Sequence, residues 1–316
     1  HVEVVRPDAM AVLNKLVEHC GEPFADSSIL CTYYVAQIAR QHVKMVLSGD
    51  GGDETFGGYD YFGKLVQQHP QPHGALGKLR RAVGNGARGV GVRAPLPQLP
   101  TTWYERNPYF SERERLRLWR PEYQPLLKLT REWNDRQFEG VKDSDVLSQC
   151  QSVDLHNYLP FDNLHKVDIA SMCHGLEVRV PFLDHVFLEI VAEVPAEMKL
   201  KADEGWAIDD PQRPVSAVIS KYILKRTAER FFNTEFLHRP KRGFSMPVPA
   251  WFAGPLYEEL RDRLNDPAAA MNDFFDVKYI AALLEEHREK KNHGWGLWAL
   301  LFLATWKTQN QHLVSV

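Results

Sequence analysis

A short apolar segment that leads straight into a glycine-rich acidic loop constrains the fold of this chain more than any other feature. Residues 43–47 read Val-Lys-Met-Val-Leu and suit a β-strand, and residues 48–54 continue as Ser-Gly-Asp-Gly-Gly-Asp-Glu. Residues 2–5 form another β-branched run, and apolar periodicity predicts helices at 8–20 and 28–41. Strands that alternate with helices predict an α/β fold built on a parallel sheet.

The loop combines turn-forming glycines with carboxylates. Its glycines let backbone N–H groups approach a ligand, and ligands of open α/β sheets bind at the carboxyl ends of strands. Amides at a helix N-terminus suit phosphate, but Asp50, Asp53 and Glu54 would repel phosphate unless a cation lies between them. Magnesium meets that need, since carboxylates and phosphates commonly share it. The loop therefore predicts a nucleotide–magnesium site, and the alternative is an ordinary helix start with acidic residues in its first turn.

A second charged cluster begins at Lys166, about 110 residues after the acidic loop. It joins Lys166 and Asp168 to Glu177, Arg179 and Asp184, the last three within Glu-Val-Arg-Val-Pro-Phe-Leu-Asp. In a functional interpretation, Lys166 supplies positive charge to a phosphate and Arg179 holds the surrounding carboxylates in register. A plain ion-pair network at a helix boundary is the alternative.

A third cluster is the basic segment 239–245, Arg-Pro-Lys-Arg-Gly-Phe-Ser, which contains Lys241. Such a run is commonly a solvated loop. The alternative is a mobile phosphate clamp that closes when ATP binds.

The rest of the chain predicts three parts, at 1–60, 61–110 and 111–316. The first is the partial α/β nucleotide-binding portion. The second is a flexible insertion rich in glycine, proline and basic residues, with a specific basic recognition surface as the alternative. The third is mainly helical, with helices predicted at 111–119, 145–158, 186–194, 216–233, 256–264, 277–291 and 295–308.

Composition excludes several classes of protein. A net charge of -3 argues against a nucleic-acid binder, and the chain has no apolar run of about 18 residues that would indicate a membrane span. The four cysteines are scattered without a CxxC pair, which argues against a disulfide framework or a zinc site. A reducing cytoplasm is the expected location.

The order and spacing of these clusters resemble the glutamine-hydrolysing asparagine synthetase family. The segments that carry the resemblance are 23–26, 47–59, 164–184, 239–247 and 292–306. The resemblance implies an ATP-pyrophosphatase fold with a large helical part. It also implies a reaction in which ATP and aspartate give β-aspartyl-AMP and pyrophosphate, and ammonia from glutamine then displaces AMP.

The resemblance also implies roles for individual residues. The backbone of Leu47, Ser48 and Gly49 would contact AMP, with Tyr59 in the same pocket. Asp50 and Asp53 would serve magnesium–pyrophosphate, while Lys166 and Lys241 would contact the phosphates; Asp50, Lys166 and Lys241 are the predicted catalytic residues. The predicted supporting residues are Glu54, Asp168, Glu177, Arg179 and Asp184.

The sequence also departs from the family pattern. The family's first phosphate loop, Ser-Gly-Gly-x-Asp-Ser, and its N-terminal glutaminase domain do not occur in this sequence, and Ile169 stands where the family commonly has arginine. We therefore expect the isolated chain to bind ATP poorly or not at all and to be inactive alone. The missing first strand would also expose a sheet edge, so we expect the chain either to pair with something or to have loosely ordered loops. A second copy of the chain, giving a homodimer, is one possible partner for this edge. Lactam-forming relatives and a non-catalytic relative are alternative functions.

Overall fold

The computed structural model describes residues 3–69, 98–106, 109–202, 218–239, 243–289 and 291–314. Its helices, in chain order, are α1 (Ala9–Cys20), α2 (Ile29–His42), α3 (Gly52–Phe56), α4 (Asp60–Gln68), α5 (Leu99–Glu105), α6 (Glu112–Leu118), α7 (Leu127–Glu139), α8 (Val146–His156), α9 (His165–Met172), α10 (His185–Ala192), α11 (Ala196–Lys199), α12 (Tyr222–Ala228), α13 (Thr234–Leu237), α14 (Val248–Phe252), α15 (Tyr257–Leu264), α16 (Val277–Arg288), α17 (Gly294–Gln309) and α18 (Gln311–Val314). Its strands are β1 (Met45–Leu47), β2 (Glu177–Arg179), β3 (Lys201–Ala202) and β4 (Val218–Ile219).

The first two helices form where capping and periodicity predict them. The Asp8 carboxylate accepts a hydrogen bond from the Ala11 amide at 3.0 Å and starts α1. Gly21, with φ 69°, ends the helix in the left-handed conformation that glycine adopts without strain. Leu13, Leu16 and Val17 share one buried face, because residues three to four positions apart lie on the same side of a helix.

A short parallel pair of strands brings together two segments that are far apart in the sequence. β1 pairs with β2 in parallel register, with Met45 opposite Glu177 and Leu47 opposite Arg179. β3 and β4 form a separate antiparallel pair. The strand predicted at 2–5 is wrong for residues 3–5, which lie in no strand; residue 2 is outside the described residues. The described chain is mostly helical with a small parallel sheet, which agrees with the predicted α/β class only in part.

The larger hydrophobic core surrounds α17. Leu297, Trp298, Leu301 and Phe302 on this helix are fully buried. Together with the buried Leu300 and Ala304 they cover more than half of the helix circumference, as expected for a helix that is largely enclosed by others. The helices α1, α14, α15 and α16 pack against it. We call this assembly the helical body.

A smaller core joins α4, α5, α7 and α8 through Phe62, Leu99, Phe138 and Leu147. The helix α5 and all of α4 except Asp60 lie within the predicted insertion 61–110, of which residues 70–97 and 107–108 are outside the described residues. The division of the chain at 60 and 110 therefore stays a prediction.

The helix predicted at 216–233 is corrected by the structure. Residues 216–217 are outside the described residues, Val218–Ile219 form β4, and α12 begins only at Tyr222. Lys221 separates the two elements with φ 52°, a left-handed conformation that breaks a regular helix. The four cysteines are free. None of the described helices has the length and apolar character needed to cross a membrane.

Candidate active site

The parallel pair fixes the start of the acidic loop. The Ser48 amide donates to the Arg179 carbonyl at 2.8 Å, which continues the strand pairing into the loop. The chain then turns at Gly51, where φ is 83° and a side chain would collide with Leu183. α3 begins at the next residue, so the loop lies between a strand end and a helix start, as predicted.

A cavity of about 530 Å³ opens beside this loop. We call it the loop cavity. It brings together five of the predicted site residues: Leu47, Ser48, Gly49, Asp50 and Lys166. Two apolar side chains at its rim, Leu47 and Phe244, are 68% and 56% exposed, so they present apolar surface to whatever enters.

Asp50 is held by two neighbours. The Ser48 hydroxyl donates a short hydrogen bond to one carboxylate oxygen, and the Asn163 amide donates to the other at 3.2 Å. Asn163 was not predicted as a site residue, and it lies one residue before the segment 164–184 that carries the family resemblance. It lines the loop cavity together with Asp50.

Lys166 forms a largely buried ion pair with Asp26. Its Nζ lies 2.8 Å from Asp26 Oδ2, and the two side chains are 9% and 20% exposed. Burial alone would raise the pKa of Asp26, but Lys166 and hydrogen bonds from Ser28 outweigh burial and hold that pKa below its usual value. Asp26 thus receives hydrogen bonds from Ser28 at the start of α2 and also faces the site.

Asp53 pairs with a lysine that the sequence analysis missed. Lys221 Nζ lies 3.0 Å from Asp53 Oδ1, with side chains 27% and 25% exposed. Both groups pack closely over Gly58, where an added side chain would collide with each of them. Gly58 therefore leaves room for the ion pair between the loop and α12.

Glu54 and Tyr59 belong to a buried polar network. The Tyr59 hydroxyl donates to Glu54 at 2.7 Å, and the Tyr61 hydroxyl donates a short hydrogen bond to Asp154. The two tyrosine rings stack with centroids 5.1 Å apart. Burial raises the pKa of Glu54 although Tyr59 opposes the shift. Burial likewise raises the pKa of Asp154 to about 7, against the opposing effects of Tyr61 and Arg106.

The remaining predicted residues lie away from the loop cavity. Asp168 and Asp184 are exposed, and Asp184 caps α10 by accepting from the Phe187 amide at 3.0 Å. Arg179 pairs with Glu177 at 2.7 Å, with side chains 62% and 57% exposed. Glu177 and Arg179 thus pair with each other at the surface, and the functional interpretation of this cluster stays a prediction. Lys241 is outside the described residues.

The carboxylates near the loop could bind magnesium only together with oxygen atoms from a bound ligand. Among the described residues, no group of three or more His, Cys, Asp or Glu side chains is placed to hold a metal ion. Asp50 and Asp53 offer carboxylate oxygens, which magnesium prefers, and phosphate oxygens would have to complete its coordination.

A second cavity, of about 570 Å³, lies on the other side of the Asp26–Lys166 pair. We call it the aromatic cavity. Asp26 and Asp162 are part of its wall, and burial together with the Asp26 charge raises the pKa of Asp162 to about 7 despite the opposing effect of Lys166. Most of the remaining wall is aromatic and includes Tyr59.

Comparisons with known proteins agree on one family. The family model described as asparagine synthase matches residues 1–308. The chain is 28% identical to asparagine synthetase [glutamine-hydrolyzing] 1 of Bacillus subtilis, over 98% of this chain and 47% of that protein. It is 30% identical to the putative asparagine synthetase [glutamine-hydrolyzing] of Mycobacterium tuberculosis, over 94% and 44%.

A more distant relative carries a different name. The chain is 24% identical to amidase chry2 of Gibberella zeae, over 83% of this chain and 41% of that protein. The chain spans about half the length of the curated relatives it matches, or somewhat less.

Proposed function

This chain belongs to the asparagine synthase family, and from that premise we propose that it is the synthetase portion of an ATP-dependent, amide-forming ligase. A carboxylic acid, with aspartate as the first candidate, is activated as an acyl-adenylate. Ammonia derived from glutamine then converts the acyl-adenylate into an amide. An ATP-pyrophosphatase fold is part of the proposal, supported by a loop that follows a parallel strand and precedes a helix.

The loop cavity is the proposed nucleotide site. Leu47 and Phe244 present apolar surface that suits an adenine ring, because burying an aromatic ring against apolar groups removes both from water. Ser48 and Gly49 carry the backbone closest to the proposed AMP moiety. Gly49 has open space where a side chain would lie, so a ligand can approach its backbone closely.

The first step forms the acyl-adenylate. An oxygen of the substrate carboxylate attacks the α-phosphorus of ATP, the bond from that phosphorus to the bridging oxygen breaks, and pyrophosphate leaves with the electron pair. Negative charge accumulates on the leaving group. Lys166 at the loop cavity and Lys221 beside Asp53 would stabilise that charge. Lys241 is proposed to assist them.

Magnesium is the proposed metal, held by Asp50 and Asp53 together with phosphate oxygens. When bound, it supplies positive charge that stabilises the leaving pyrophosphate. Asp53 must then exchange its ion pair with Lys221 for the metal, which would leave the Lys221 ammonium free for a phosphate oxygen.

The second step forms the amide. The ammonia nitrogen attacks the acyl carbon, a C–N bond forms, the C–O bond to AMP breaks, and AMP leaves with the electron pair. The nitrogen must lose one proton. Asp50 is the proposed acceptor because its carboxylate lines the loop cavity and Asn163 fixes the direction in which it points.

One observation carries this proposal: a cavity beside a strand-end glycine loop holds both Asp50 and Lys166, which lie 116 positions apart in the sequence. The test is ATP–pyrophosphate exchange with aspartate in the full-length protein. We expect exchange in the native protein and a loss of at least tenfold in Asp50→Asn and Lys166→Met. Matched controls are Asp60→Asn and Lys128→Met, which remove the same groups from exposed positions. Equal exchange in all five proteins would contradict the assigned site.

A further inference from the structure

The aromatic cavity adjoins the proposed nucleotide site without taking part in the chemistry described so far. Asp26 lies in its wall, and the lysine paired with Asp26 lines the loop cavity. Asp162 also lies in its wall, and the next residue, Asn163, holds Asp50. The two cavities therefore meet at the Asp26–Lys166 pair, where a carboxylate from one could reach a phosphate in the other.

Two arginines cover some of the aromatic rings in its wall. The Arg106 guanidinium lies 3.6 Å from the Tyr61 ring centroid and 4.3 Å from that of Trp103. The Arg115 guanidinium lies 4.5 Å from the Tyr104 centroid. Stacking uses the flat face of a guanidinium and leaves its N–H edges available. Within the described residues, neither arginine makes a side-chain hydrogen bond or an ion pair.

Two other rings in the wall, those of Trp133 and Trp295, carry no stacked ring or cation among the described residues, and one of them, Trp295, also packs against the larger hydrophobic core. Trp133 is 45% exposed, although a tryptophan on a helix surface has a large apolar area to bury. A planar ligand would cover that area by stacking.

The size of the aromatic cavity and the placement of the other reactants indicate which reactant it would bind. A volume of about 570 Å³ falls in the range of pockets that bind small organic molecules. Ammonia is too small to require such a space, and the nucleotide is assigned to the loop cavity. The remaining reactant is the acid. Free aspartate has no ring to place against the tryptophans, and it would leave much of the aromatic surface in contact with water.

We propose that the aromatic cavity binds the acid that is activated, and that this acid carries a planar aromatic ring. The ring stacks on Trp133 and Trp295, the N–H edges of Arg106 and Arg115 bind its oxygen substituents, and its carboxylate faces the Asp26–Lys166 boundary. The bonds that form and break with this acid are the same as in the acyl-adenylate and amide steps of the proposed function. This inference rests on the proposed function and names the substrate class of the same site.

The first test compares acids in the ATP–pyrophosphate exchange reaction of the full-length protein. The panel is benzoate, cinnamate, phenylalanine and aspartate, with cyclohexanecarboxylate as a non-planar match for benzoate. We expect at least one ring-bearing acid to exceed both aspartate and cyclohexanecarboxylate in kcat/KM by tenfold or more. Exchange that is fastest with aspartate would overturn the inference and leave the proposed function standing.

Two variants on one helix show whether the cavity is responsible. Trp133→Ala is expected to raise KM for the ring-bearing acid about three- to tenfold, as loss of one aromatic contact predicts, while kcat and the KM for ATP change little. Leu129→Ala, one turn away, is also exposed but does not line the cavity, and it is expected to leave KM unchanged. Equal KM values in the two variants would overturn the assignment.

A binding measurement separates this inference from the proposed function. Trp103, Trp133 and Trp295 all line the cavity, so a ring-bearing acid should quench tryptophan fluorescence without ATP, and Trp133→Phe should reduce the quenching. No exchange with any acid would overturn the proposed function. Quenching without exchange would overturn the claim that the bound acid is the one activated, and absence of both would overturn the inference entirely.

Discussion

The helical body and the face that carries the Asp50 loop bury different kinds of side chain. In the helical body, Leu297, Leu301 and Phe302 are fully buried, and the buried Lys307 donates to the Ala270 carbonyl at 2.9 Å. We call the second region the loop face. It consists of β1, β2, the acidic loop at 48–54 (here the Asp50 loop) with α3, and the adjoining α4 and α8. It buries the carboxylates Glu54 and Asp154 completely.

Hydrogen bonding makes the difference sharper. Among the described residues, one carboxylate oxygen of Glu54 and one of Asp154 are buried without a hydrogen-bond partner, whereas the helical body leaves the neutral Trp298 Nε1 in that state. Burying a polar group without a partner costs free energy, and a charged group costs more. The comparison teaches that the helical body supplies most of the stability, while the loop face holds groups whose arrangement suits chemistry rather than stability.

The largest expected effect lies in the helical body. Leu301→Ala should lower the free energy of unfolding by about 3–4 kcal/mol, because Leu301 is fully buried and truncation leaves a cavity. Urea denaturation measures this loss. The exposed Leu129→Ala should change it by less than about 0.5 kcal/mol. A loss below 1 kcal/mol in Leu301→Ala would break the comparison.

The next effect comes from the ion pair between the two cavities. Lys166→Met should lower the unfolding free energy by about 2 kcal/mol at pH 7, since Asp26 keeps its charge without a partner and is only partly exposed. The pKa of Asp26 is lowered in the folded protein, so this stabilisation is present above the unfolded pKa and is lost as pH falls through the folded pKa. The two proteins should therefore converge in acid. Adding Asp26→Asn to Lys166→Met should restore part of the stability, and a further loss would contradict the pairing.

The buried acid in the loop face should give an effect of opposite direction, which builds up gradually with pH. The pKa of Asp154 is raised from 3.8 to about 7, so the folded protein holds a proton that the unfolded chain releases between these values. Stability from this group therefore falls as pH rises from about 4 to 7. Asp154→Asn should match the native protein near pH 4 and gain on it by about 1.4 kcal/mol for each pH unit from about 4 to 7. Parallel stability–pH curves would contradict a protonated Asp154.

The smallest effect on stability is expected at Lys221. Its ion pair with Asp53 is about one quarter exposed, so Lys221→Met should change the unfolding free energy by less than about 1 kcal/mol. Pyrophosphate exchange should nevertheless fall at least tenfold if Lys221 meets the leaving group. A large loss of stability with normal exchange would reverse the assignment of the loop face to chemistry.

The sequence predicts those elements whose signals are local. The Asp8 cap and the buried face of α1, and the apolar run of α17, occupy the places that capping and periodicity indicate. The acidic loop also lies where a strand end and a helix start were expected. Its glycines and carboxylates identify it without any knowledge of distant neighbours.

The contacts that complete the site are not local. Asn163 meets Asp50 across 113 positions and Tyr61 meets Asp154 across 93, and no pattern in the sequence states which partners will meet. Lys221 was missed because its partner Asp53 lies 168 positions earlier, and because no glycine marks the left-handed residue that precedes α12. The site residues themselves therefore remain predictions, while their spatial grouping comes from the structure.

The pairing of β1 with β2 has a consequence for the order in which the chain folds. Met45 and Glu177 lie 132 positions apart, so closing this pair requires a long loop to be ordered for only a few hydrogen bonds. The helical body also joins distant segments, since α1 packs against α17, but it buries many apolar side chains in return. The Asp50 loop, which begins at this pair, should thus be the last part to assemble and the first to open, and native-state hydrogen exchange should find the amides of Ser48 and Glu177 less protected than those of α17.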